Sequence, residues 1–415
     1  MLRTLFPKAH RKFLSLPLLG PITDSFDDWL AGNGFTRGSR KFCMRMLRYV
    51  DADLRLRRVD KVAELTHSIL HDCWGTFIKS LPHHAGTVRS LERYLVASGL
   101  IANGRNELAI RPRPTSIEEY VGHLHEVRGF AASTVSHHRF TAQCFLQHLE
   151  KTGIALKDIR PCNVEAYVAN AGKRLSRASL QHEIGALRGF LRFLAMDGRA
   201  PHGLASQIDT PRLYRLEQLP RALSWDTVCV LLRSIDTTTA MGKRDYAIFL
   251  LIATYGLRAS EVVALTLDDI RWRQGSLGID QRKTSSPLEL PLTNEVLSAL
   301  VKHLKQTPPP APYRRVFLRM RAPIGVLKPT AITEAFQALV RKSGLAISFQ
   351  GPHCLRHTYA VHLLKNGTPL KTIGDILGHR TAESTSMYLR LATGDLREVA
   401  LAVPGRRHCG KKGRR

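Results

Sequence analysis

The stretch GPHCLRHTYAVHLLKNGTPLKTIGDILGHRTAESTSMYLR, residues 351–390, decides how the C-terminal part of the chain folds. Its pattern predicts three helices in succession. The first begins at Pro352, since a proline in the first turn gives up no helical hydrogen bond, and it ends at Asn366-Gly367. This segment is therefore predicted to be one longer helix closed by a turn.

The second helix is bounded by residues with clear positional preferences. Thr368 is expected to cap it and Pro369 to occupy its first position. Gly378 is expected to end it, because glycine readily adopts the left-handed conformation found just after a helix. His379 is thereby held immediately beyond the helix end.

A third, short helix is predicted to start at Thr381 and to carry Tyr388. A tyrosine in such a place is most often a packing residue with a polar tip, and the local sequence leaves that interpretation open. In the first helix, His353, Arg356 and His357 are spaced i, i+3, i+4 and share one face. Two histidines four apart also have zinc-ligand spacing, but no glutamate or thiol completes a shell, so zinc is the weaker interpretation.

The charge balance of the chain indicates a polyanionic partner. Lysine and arginine number 62 against 34 aspartates and glutamates, giving a formal net charge of +28 at pH 7. A field of this sign and size favours nucleic acid, whose backbone is the commonest polyanion. No long amphipathic basic helix is evident, so no membrane partner is expected.

Cysteine usage and hydropathy predict a soluble protein of a reducing compartment. The seven cysteines form no C-x-x-C pair, which argues against structural zinc and disulfides. The N-terminal segment looks faintly like a signal peptide, but Pro17 and Pro21 interrupt its apolar run and no small-residue cleavage site follows. The longest apolar run, Tyr246–Leu257, is too short to cross a bilayer.

Length and composition predict several domains with a mainly α fold and one small antiparallel sheet. A chain of 415 residues is too long for a single core. Five parts are predicted. They are a helical N-terminal region that is a candidate for additional DNA binding (1–110), a second helical region (113–207), a basic linker (208–223), an α+β region (224–402) and a disordered basic tail (403–415).

The two helical regions share a loose pattern. The segments that begin FDDWLAGNGF at Phe26 and IEEYVGHLHEVRGF at Ile117 both run from a helix through Gly-Phe and a small polar cap into a longer amphipathic helix. An internal duplication gives such a match, and so do two unrelated helical pairs. Both interpretations stay open from the sequence.

The region after residue 224 mixes helices with a small sheet, and two of its cations stand out. Alternation around Gly275 and around Lys283–Ser286 predicts antiparallel strands, which places Lys283 in a hairpin turn where an exposed lysine is ordinary. Arg258 follows the buried helix of the Tyr246–Leu257 run and precedes a helix that Ser260 is expected to cap. An arginine there needs a partner, and an ion pair with Glu261 is the purely structural alternative.

Considered together, these polar residue types suit the breaking of a phosphodiester. Two guanidiniums can hold the non-bridging oxygens of one phosphate and stabilise the charge of its transition state. Histidines can donate to the same oxygens or move a proton, and a lysine on a turn can protonate a departing 5′-oxygen. A tyrosine phenolate is a competent nucleophile that gives a covalent phosphotyrosine. This scheme needs no metal and no cofactor.

In this order and spacing the motifs resemble those of the tyrosine recombinases, the phage-integrase-like enzymes. The resemblance is close over residues 224–402 and looser over 116–200, which is similar to the family's helical, SAM-like core-binding domain. It implies a set of catalytic residues, namely Arg258, Lys283, His353, Arg356, His379 and Tyr388. Of these, Tyr388 would be the nucleophile, and Glu261 and His357 would support the set. The additional N-terminal domain of integrases is typically β-rich, whereas this one is predicted to be helical.

The resemblance implies an enzyme that breaks and rejoins DNA at specific sites through a 3′-phosphotyrosyl intermediate, for integration or transposition of a mobile element. Its partners would be double-stranded recombination sites, three further copies in a homotetramer that exchanges the C-terminal helix, and accessory or sister recombinases. Its location would be the bacterial cytoplasm, at the nucleoid when bound to DNA.

Two alternatives share the chemistry or the fold. One is a type IB topoisomerase-like enzyme that relaxes DNA without joining two duplexes, and the likeness to integrases argues against it. The other is a non-catalytic DNA-binding regulator. Degenerate relatives of that kind normally lose the nucleophile or an arginine, and Arg258, Arg356 and Tyr388 are all present.

Overall fold

A computed structural model of the protein describes residues 2–101, 115–214, 217, 219–281, 286–348, 351–379 and 381–391. The chain divides into two compact units. The first runs to residue 217 and the second from residue 218 onward, except that residues 32–35 group with the second. Among the described residues, no helix combines the length and apolarity needed to cross a membrane.

The first hundred residues of the first unit are helical. Their helices are α1 (Leu2–Leu5), α2 (His10–Leu14), α3 (Thr23–Gly32), α4 (Arg37–Leu56), α5 (His67–Ser80) and α6 (Pro82–Ala97). Thr36 caps α4 by accepting a hydrogen bond from the backbone N–H of Ser39. The inner face of α4 packs into the core through Met44, Leu47 and Leu54, which are fully buried.

The second half of this unit is a separate group of helices around its own core. They are α7 (Thr115–Gly122), which continues into a π-helical turn (His123–Val127), α8 (Ala132–Thr152), α9 (Pro161–Gly172) and α10 (Arg177–Met196). Buried Glu183 of α10 ties the group together, because it accepts hydrogen bonds from Thr141 Oγ1 at 3.0 Å and from Tyr167 Oη at 2.7 Å. Burial and this carboxylate raise the pKa of Tyr167.

The second unit contains further helices and one sheet. In chain order these are α11 (Trp225–Arg233), α12 (Ala240–Tyr255), α13 (Ala259–Ala264), β1 (Ile270–Arg271), β2 (Ser276–Gln281), β3 (Ser286–Pro291), α14 (Asn294–Gln306), α15 (Pro329–Ser343), α16 (His353–Lys365), α17 (Leu370–Leu377) and α18 (Glu383–Ser386), followed by a 3-10 turn (Met387–Leu391). The fold class predicted from the sequence, mainly α with a small antiparallel sheet, is confirmed.

The sheet has the order β1-β2-β3 and is antiparallel throughout. Leu277 lies opposite Leu290, and both side chains join the core formed with α12. The β1–β2 turn contains Gly275 at φ 64°, a left-handed conformation that favours glycine. The predicted hairpin turn with Lys283 lies outside the described residues, between the ends of β2 and β3.

Helix ends were only partly predicted. Gly378 ends α17 with φ 58°, as expected. The predicted caps Ser260, Thr368 and Thr381 are wrong. The residues at the N-cap positions are Arg258 in α13, Pro369 in α17 and Ala382 in α18.

The first of these shifts has a clear local cause. α13 begins earlier because the Glu261 carboxylate accepts the backbone N–H of Arg258 at 2.7 Å, which is the glutamate half of a capping box. The Thr381 hydroxyl contacts the Ser384 hydroxyl, and Tyr388 lies on the 3-10 turn that follows α18.

Candidate active site

The site forms where the ends of α12 and α17 meet α16. α12 stops at Gly256, which has φ 64°. A Cβ there would approach Tyr359 Cδ1 to 2.7 Å and Leu377 Cδ2 to 2.8 Å, so only glycine allows this approach. The Gly256 carbonyl accepts a hydrogen bond from Arg356 Nη1 at 2.6 Å, and the packing thereby fixes an arginine of α16.

Arg356 is a cation in a buried position. Its side chain is 2% exposed, and its Nη2 donates to the carbonyl of Leu377. Burial, followed by the neighbouring charge of Arg258, lowers the pKa of Arg356 to about 10, so the guanidinium stays charged at neutral pH. A charge held in a medium of low polarity acts strongly on an anion placed beside it.

Arg258 approaches the same place from α13. Its Nη1 donates to Glu261 Oε1 at 2.6 Å, and its Nη2 lies 3.3 Å from the Leu377 carbonyl and 3.2 Å from that of Gly378. The ion pair expected as a structural alternative is therefore present. The same guanidinium nevertheless reaches the end of α17, where it shares the Leu377 carbonyl with Arg356.

Tyr388 lies close enough to these arginines for their charges to act on it, and its hydroxyl is hydrogen-bonded. The side chain is 1% exposed, and Oη lies 3.0 Å from His357 Nδ1. Burial raises the pKa of Tyr388, and the charges of Arg356 and Arg258 oppose that rise. Burial also lowers the pKa of His357 to about 4, so its imidazole is neutral at pH 7 and can accept the phenolic proton.

His379 follows the end of α17, as predicted. Its Nδ1 lies 2.9 Å from Oγ1 of buried Thr385, and its ring is nearly parallel to that of Tyr388, with centroids 6.3 Å apart. Burial, together with Arg356 and Arg258, lowers the pKa of His379 to about 4. Thr385 was not identified from the sequence, where it is one of several small polar residues in TAESTS.

His353 lies at the solvent edge of the site. Its side chain is exposed, whereas its ring centroid is 4.5 Å from that of His357 in a perpendicular arrangement. The shared helical face predicted for His353, Arg356 and His357 is therefore observed. On this face His353 is exposed, Arg356 is buried and His357 is partly buried.

The strand that leads to Lys283 is fixed to the site by Gln281. This side chain is 2% exposed, and its Nε2 donates to the Ile376 carbonyl of α17 at 3.2 Å. Its Oε1 lies 1.8 Å from where a Cβ on Gly378 would be, so the two residues can pack only because residue 378 is glycine. Gln281 was not identified from the sequence, since no periodicity separates it from the rest of β2.

The structure thus brings together most of the residues singled out in the sequence, with His353 at the margin and Lys283 outside the described residues: Arg258, Glu261, Arg356, His357, His379 and Tyr388. The arrangement joins two fixed cations, neutral imidazoles and a hydroxyl hydrogen-bonded to a base. It suits nucleophilic attack by the tyrosine on an anionic centre.

Comparison with known proteins gives concordant results. The chain matches the sequence model of the phage integrase family over residues 222–394 and that of the phage integrase N-terminal SAM-like domain over 117–198. It is 33% identical over 324 residues to the integrase/recombinase y4rA of Sinorhizobium fredii, covering 77% of this chain and 78% of that protein. It is 28% identical over 295 residues to the tyrosine recombinase XerD of Listeria monocytogenes, covering 68% of this chain and 96% of that protein.

Two solved structures share the fold. A lambda integrase dimer bound to a COC′ core site aligns with a TM-score of 0.53 at 17% identity, over 73% of this chain and 85% of that one. The Tn1549 transposon integrase in complex with a circular intermediate DNA aligns with a TM-score of 0.51 at 16% identity, over 68% and 99%. At these identities the likeness concerns the fold alone.

Proposed function

The chain belongs to the phage integrase family, and from that premise we propose that it is a site-specific DNA recombinase whose nucleophile is Tyr388. The observation that carries the proposal is the convergence of Arg258 and Arg356 on the end of α17, beside a tyrosine hydroxyl held by His357. The relatives that bear the names integrase and tyrosine recombinase support the same reaction class.

In the proposed mechanism the two arginines receive the scissile phosphate. Each guanidinium has five N–H donors, and the carbonyl contacts at Gly256, Leu377 and Gly378 use only some of them. The remaining donors are available for the non-bridging oxygens, which gain charge as the phosphate becomes five-coordinate. Buried, preoriented donors of this kind stabilise such a transition state without having to reorganise.

The nucleophile is activated within the same cluster. As Tyr388 Oη forms its bond to phosphorus, the phenolic proton passes to Nδ1 of neutral His357, 3.0 Å away. The bond from phosphorus to the 5′-oxygen breaks, and we assign protonation of that oxygen to Lys283. The products are a 3′-phosphotyrosyl bond and a free 5′-hydroxyl, which reverses the step when it attacks a phosphotyrosyl bond on a second duplex.

His379 and His353 complete the binding of the phosphate. A hydroxyl proton donated by Thr385 to Nδ1 of His379 leaves the ring proton on Nε2, which can then donate to a phosphate oxygen. His353, at the exposed edge of the site, is placed to meet the DNA as it enters. Glu261 holds Arg258 in position through its 2.6 Å ion pair.

The biological setting is part of the proposal. The name of the Sinorhizobium relative, an integrase/recombinase, supports DNA integration, and the name of the Tn1549 transposon integrase supports the further proposal of a mobile element. We propose a homotetramer on double-stranded recombination sites, acting in the bacterial cytoplasm and open to accessory or sister recombinases. The predicted C-terminal exchange helix, beyond its first residues Leu389–Leu391, and the basic tail lie outside the described residues. We retain the predicted domain assignment, in which residues 113–207 contact the core site and 224–402 perform catalysis.

The test is covalent capture on nicked duplexes that carry candidate element ends, with EDTA present. Wild-type protein should form a protein–DNA adduct and join it to a second duplex supplied later. Tyr388→Phe should form none, while the control Tyr359→Phe, another tyrosine of the same unit, should react. Adduct formation by Tyr388→Phe would contradict the proposal. Relaxation of supercoils without joining of two duplexes would identify the topoisomerase-like alternative.

A further inference from the structure

The helices of residues 23–97 repeat those of residues 115–196 in the same order. Each set has a shorter first helix and a long second one (α3 and α4, α7 and α8), then a 3-10 turn, then two more helices (α5 and α6, α9 and α10). The 3-10 turns are Val62–Glu64 and Leu156–Asp158. Corresponding elements begin 92 to 95 residues apart.

The packing repeats as well. Each long helix has buried residues at i, i+1, i+4 and i+8, namely Cys43, Met44, Leu47 and Asp51 in α4 and Thr141, Ala142, Phe145 and Leu149 in α8. An aromatic contact joins the first helix to the fourth in both sets, between Phe26 and Tyr94 at 5.3 Å and between Tyr120 and Phe190 at 5.1 Å. Of the two interpretations that the sequence left open, duplication accounts for these observations.

The first copy carries a feature on its long helix that we call the α4 stripe. At 100° per residue its five cations fall within an arc of about 80°, and they extend over roughly 27 Å at 1.5 Å per residue. They are Arg37, Lys41, Arg45, Arg48 and Arg55, of which the four arginines are exposed and Lys41 is partly buried.

The acidic residues of α4 do not neutralise this stripe. Asp51 is buried and accepts the backbone N–H groups of Leu18 and Leu19, at 3.1 and 2.7 Å. Asp53 pairs with Arg57 beyond the helix end, at 2.7 Å. The stripe therefore presents its charge to solvent.

From these observations we propose that residues 23–97 are a second copy of the SAM-like unit, and that the α4 stripe binds the phosphate backbone of duplex DNA flanking the core site. A row of exposed arginines along one helix face complements a row of phosphates. The opposite face of α4 is buried in its own core, so the helix cannot insert into a lipid surface. The choice of flanking DNA rests on the proposed function.

The test compares two full-length triple variants of equal charge change. The stripe variant is Arg45→Gln/Arg48→Gln/Arg55→Gln, and the control is Arg58→Gln/Lys61→Gln/Lys79→Gln, which removes exposed cations of the same copy that lie outside the stripe. Affinity for a duplex with long flanks is measured between 50 and 200 mM salt, since each lost phosphate contact reduces the log–log slope by about 0.9.

We expect the slope of log affinity against log salt to be about 2.7 shallower for the stripe variant, and the stretch of DNA that it protects to be shorter. The slope of the control variant should differ from that of wild type by no more than about one phosphate contact. Arg45→Lys/Arg48→Lys/Arg55→Lys keeps the charge and should bind like wild type, which separates charge from folding. Equal slopes and equal footprints for the stripe and control variants would overturn the proposal. Covalent capture on a duplex without flanks should be the same for all variants, so a failure of the proposed function shows as loss of the adduct in wild type too.

Discussion

Arg356 shows what a single buried residue contributes to this site. Its guanidinium donates to the backbone carbonyls of Gly256 and Leu377, and burial, followed by the charge of Arg258, lowers its pKa to about 10. A charge kept in so unfavourable a place, with Arg258 beside it, is relieved by an anion. This is the environment that the proposed role of Arg356 in binding a phosphate requires.

Replacing Arg356 with Gln should remove transition-state stabilisation more than DNA binding. We expect the rate of adduct formation to fall by about 10²- to 10³-fold, the usual effect of losing one preoriented donor to a developing charge. Single-turnover kinetics on a nicked duplex measure it, with the exposed Arg341→Gln as control. An unchanged rate for Arg356→Gln would mean that this arginine does not touch the reacting phosphate.

Thr385 tests whether the tautomer of His379 matters. Thr385→Val keeps the shape of the side chain but removes the hydroxyl that lies 2.9 Å from His379 Nδ1. Loss of one hydrogen bond should slow adduct formation roughly two- to tenfold. Thr385→Ser keeps the hydroxyl and should react like wild type; slowing of both variants to the same extent would assign the effect to packing instead.

At the scale of elements, the end of α17 is the point that the rest of the site depends on. Its carbonyls bind both arginines, Gly378 turns the chain towards His379, and Gln281 of β2 packs directly against that turn. A shift of this helix end would move cations, histidine and the strand before Lys283 together.

Gly378→Ala should therefore destabilise the protein in two ways, through the strained backbone of residue 378 and through a clash of the new Cβ with Gln281. The left-handed conformation alone costs about 1–2 kcal/mol for a non-glycine residue. Gly344→Ala supplies that control, because Gly344 has φ 68° and no atom within 4 Å of the new Cβ. We expect Gly378→Ala to lower the free energy of unfolding more than Gly344→Ala does, measured by denaturant titration.

The clash with Gln281 should account for the greater loss of unfolding free energy in Gly378→Ala than in Gly344→Ala. In a Gln281→Ala background the atom that a Cβ on Gly378 would meet is removed, so the further effect of Gly378→Ala should shrink towards that of Gly344→Ala. Strict additivity of Gln281→Ala and Gly378→Ala would contradict the contact described here.

Elements also show how far the sequence sufficed. The apolar run of α12, the hairpin alternation around Gly275 and the glycine stop of α17 carry strong local signals, and these elements were predicted. The caps were not, because they depend on which side chain meets the backbone. Serine is a common N-cap residue, which is why Ser260 was predicted. The longer Glu261 side chain instead accepts the backbone N–H of Arg258, so the helix begins after Arg258.

For the whole molecule, the order of the polar residues along the sequence predicted that those which the structure describes would lie close together, but not through which contacts. The contacts of Thr385 with His379 and of Gln281 with α17 join residues that no short motif connects. Such pairings depend on how α17 and α18 pack together and on how β2 meets α17. Likewise, the duplication in the first unit became clear only from the positions of helices and buried residues, since the two sequences share little beyond a pattern.

The histidines make global stability depend on pH. Burial lowers the pKa of His357 and of His379 from 6.5 to about 4, so the unfolded chain binds protons that the folded chain does not. Their contribution is fully present above pH 6.5 and is lost as the pH falls towards 4. The thermal midpoint of wild type should drop over that window, and His357→Asn/His379→Asn should show a smaller drop. Equal drops in both proteins would exclude these two residues as the cause.

The proposed role of Tyr388 is tested most directly by locating the covalent bond itself. Wild-type protein is reacted with a nicked duplex in EDTA, digested with a protease, and the DNA-linked peptide is identified by mass spectrometry. We expect one adduct, at Tyr388, joined to the 3′-phosphate and leaving a free 5′-hydroxyl. A bond to any other residue, or a linkage to the 5′-phosphate, would contradict it.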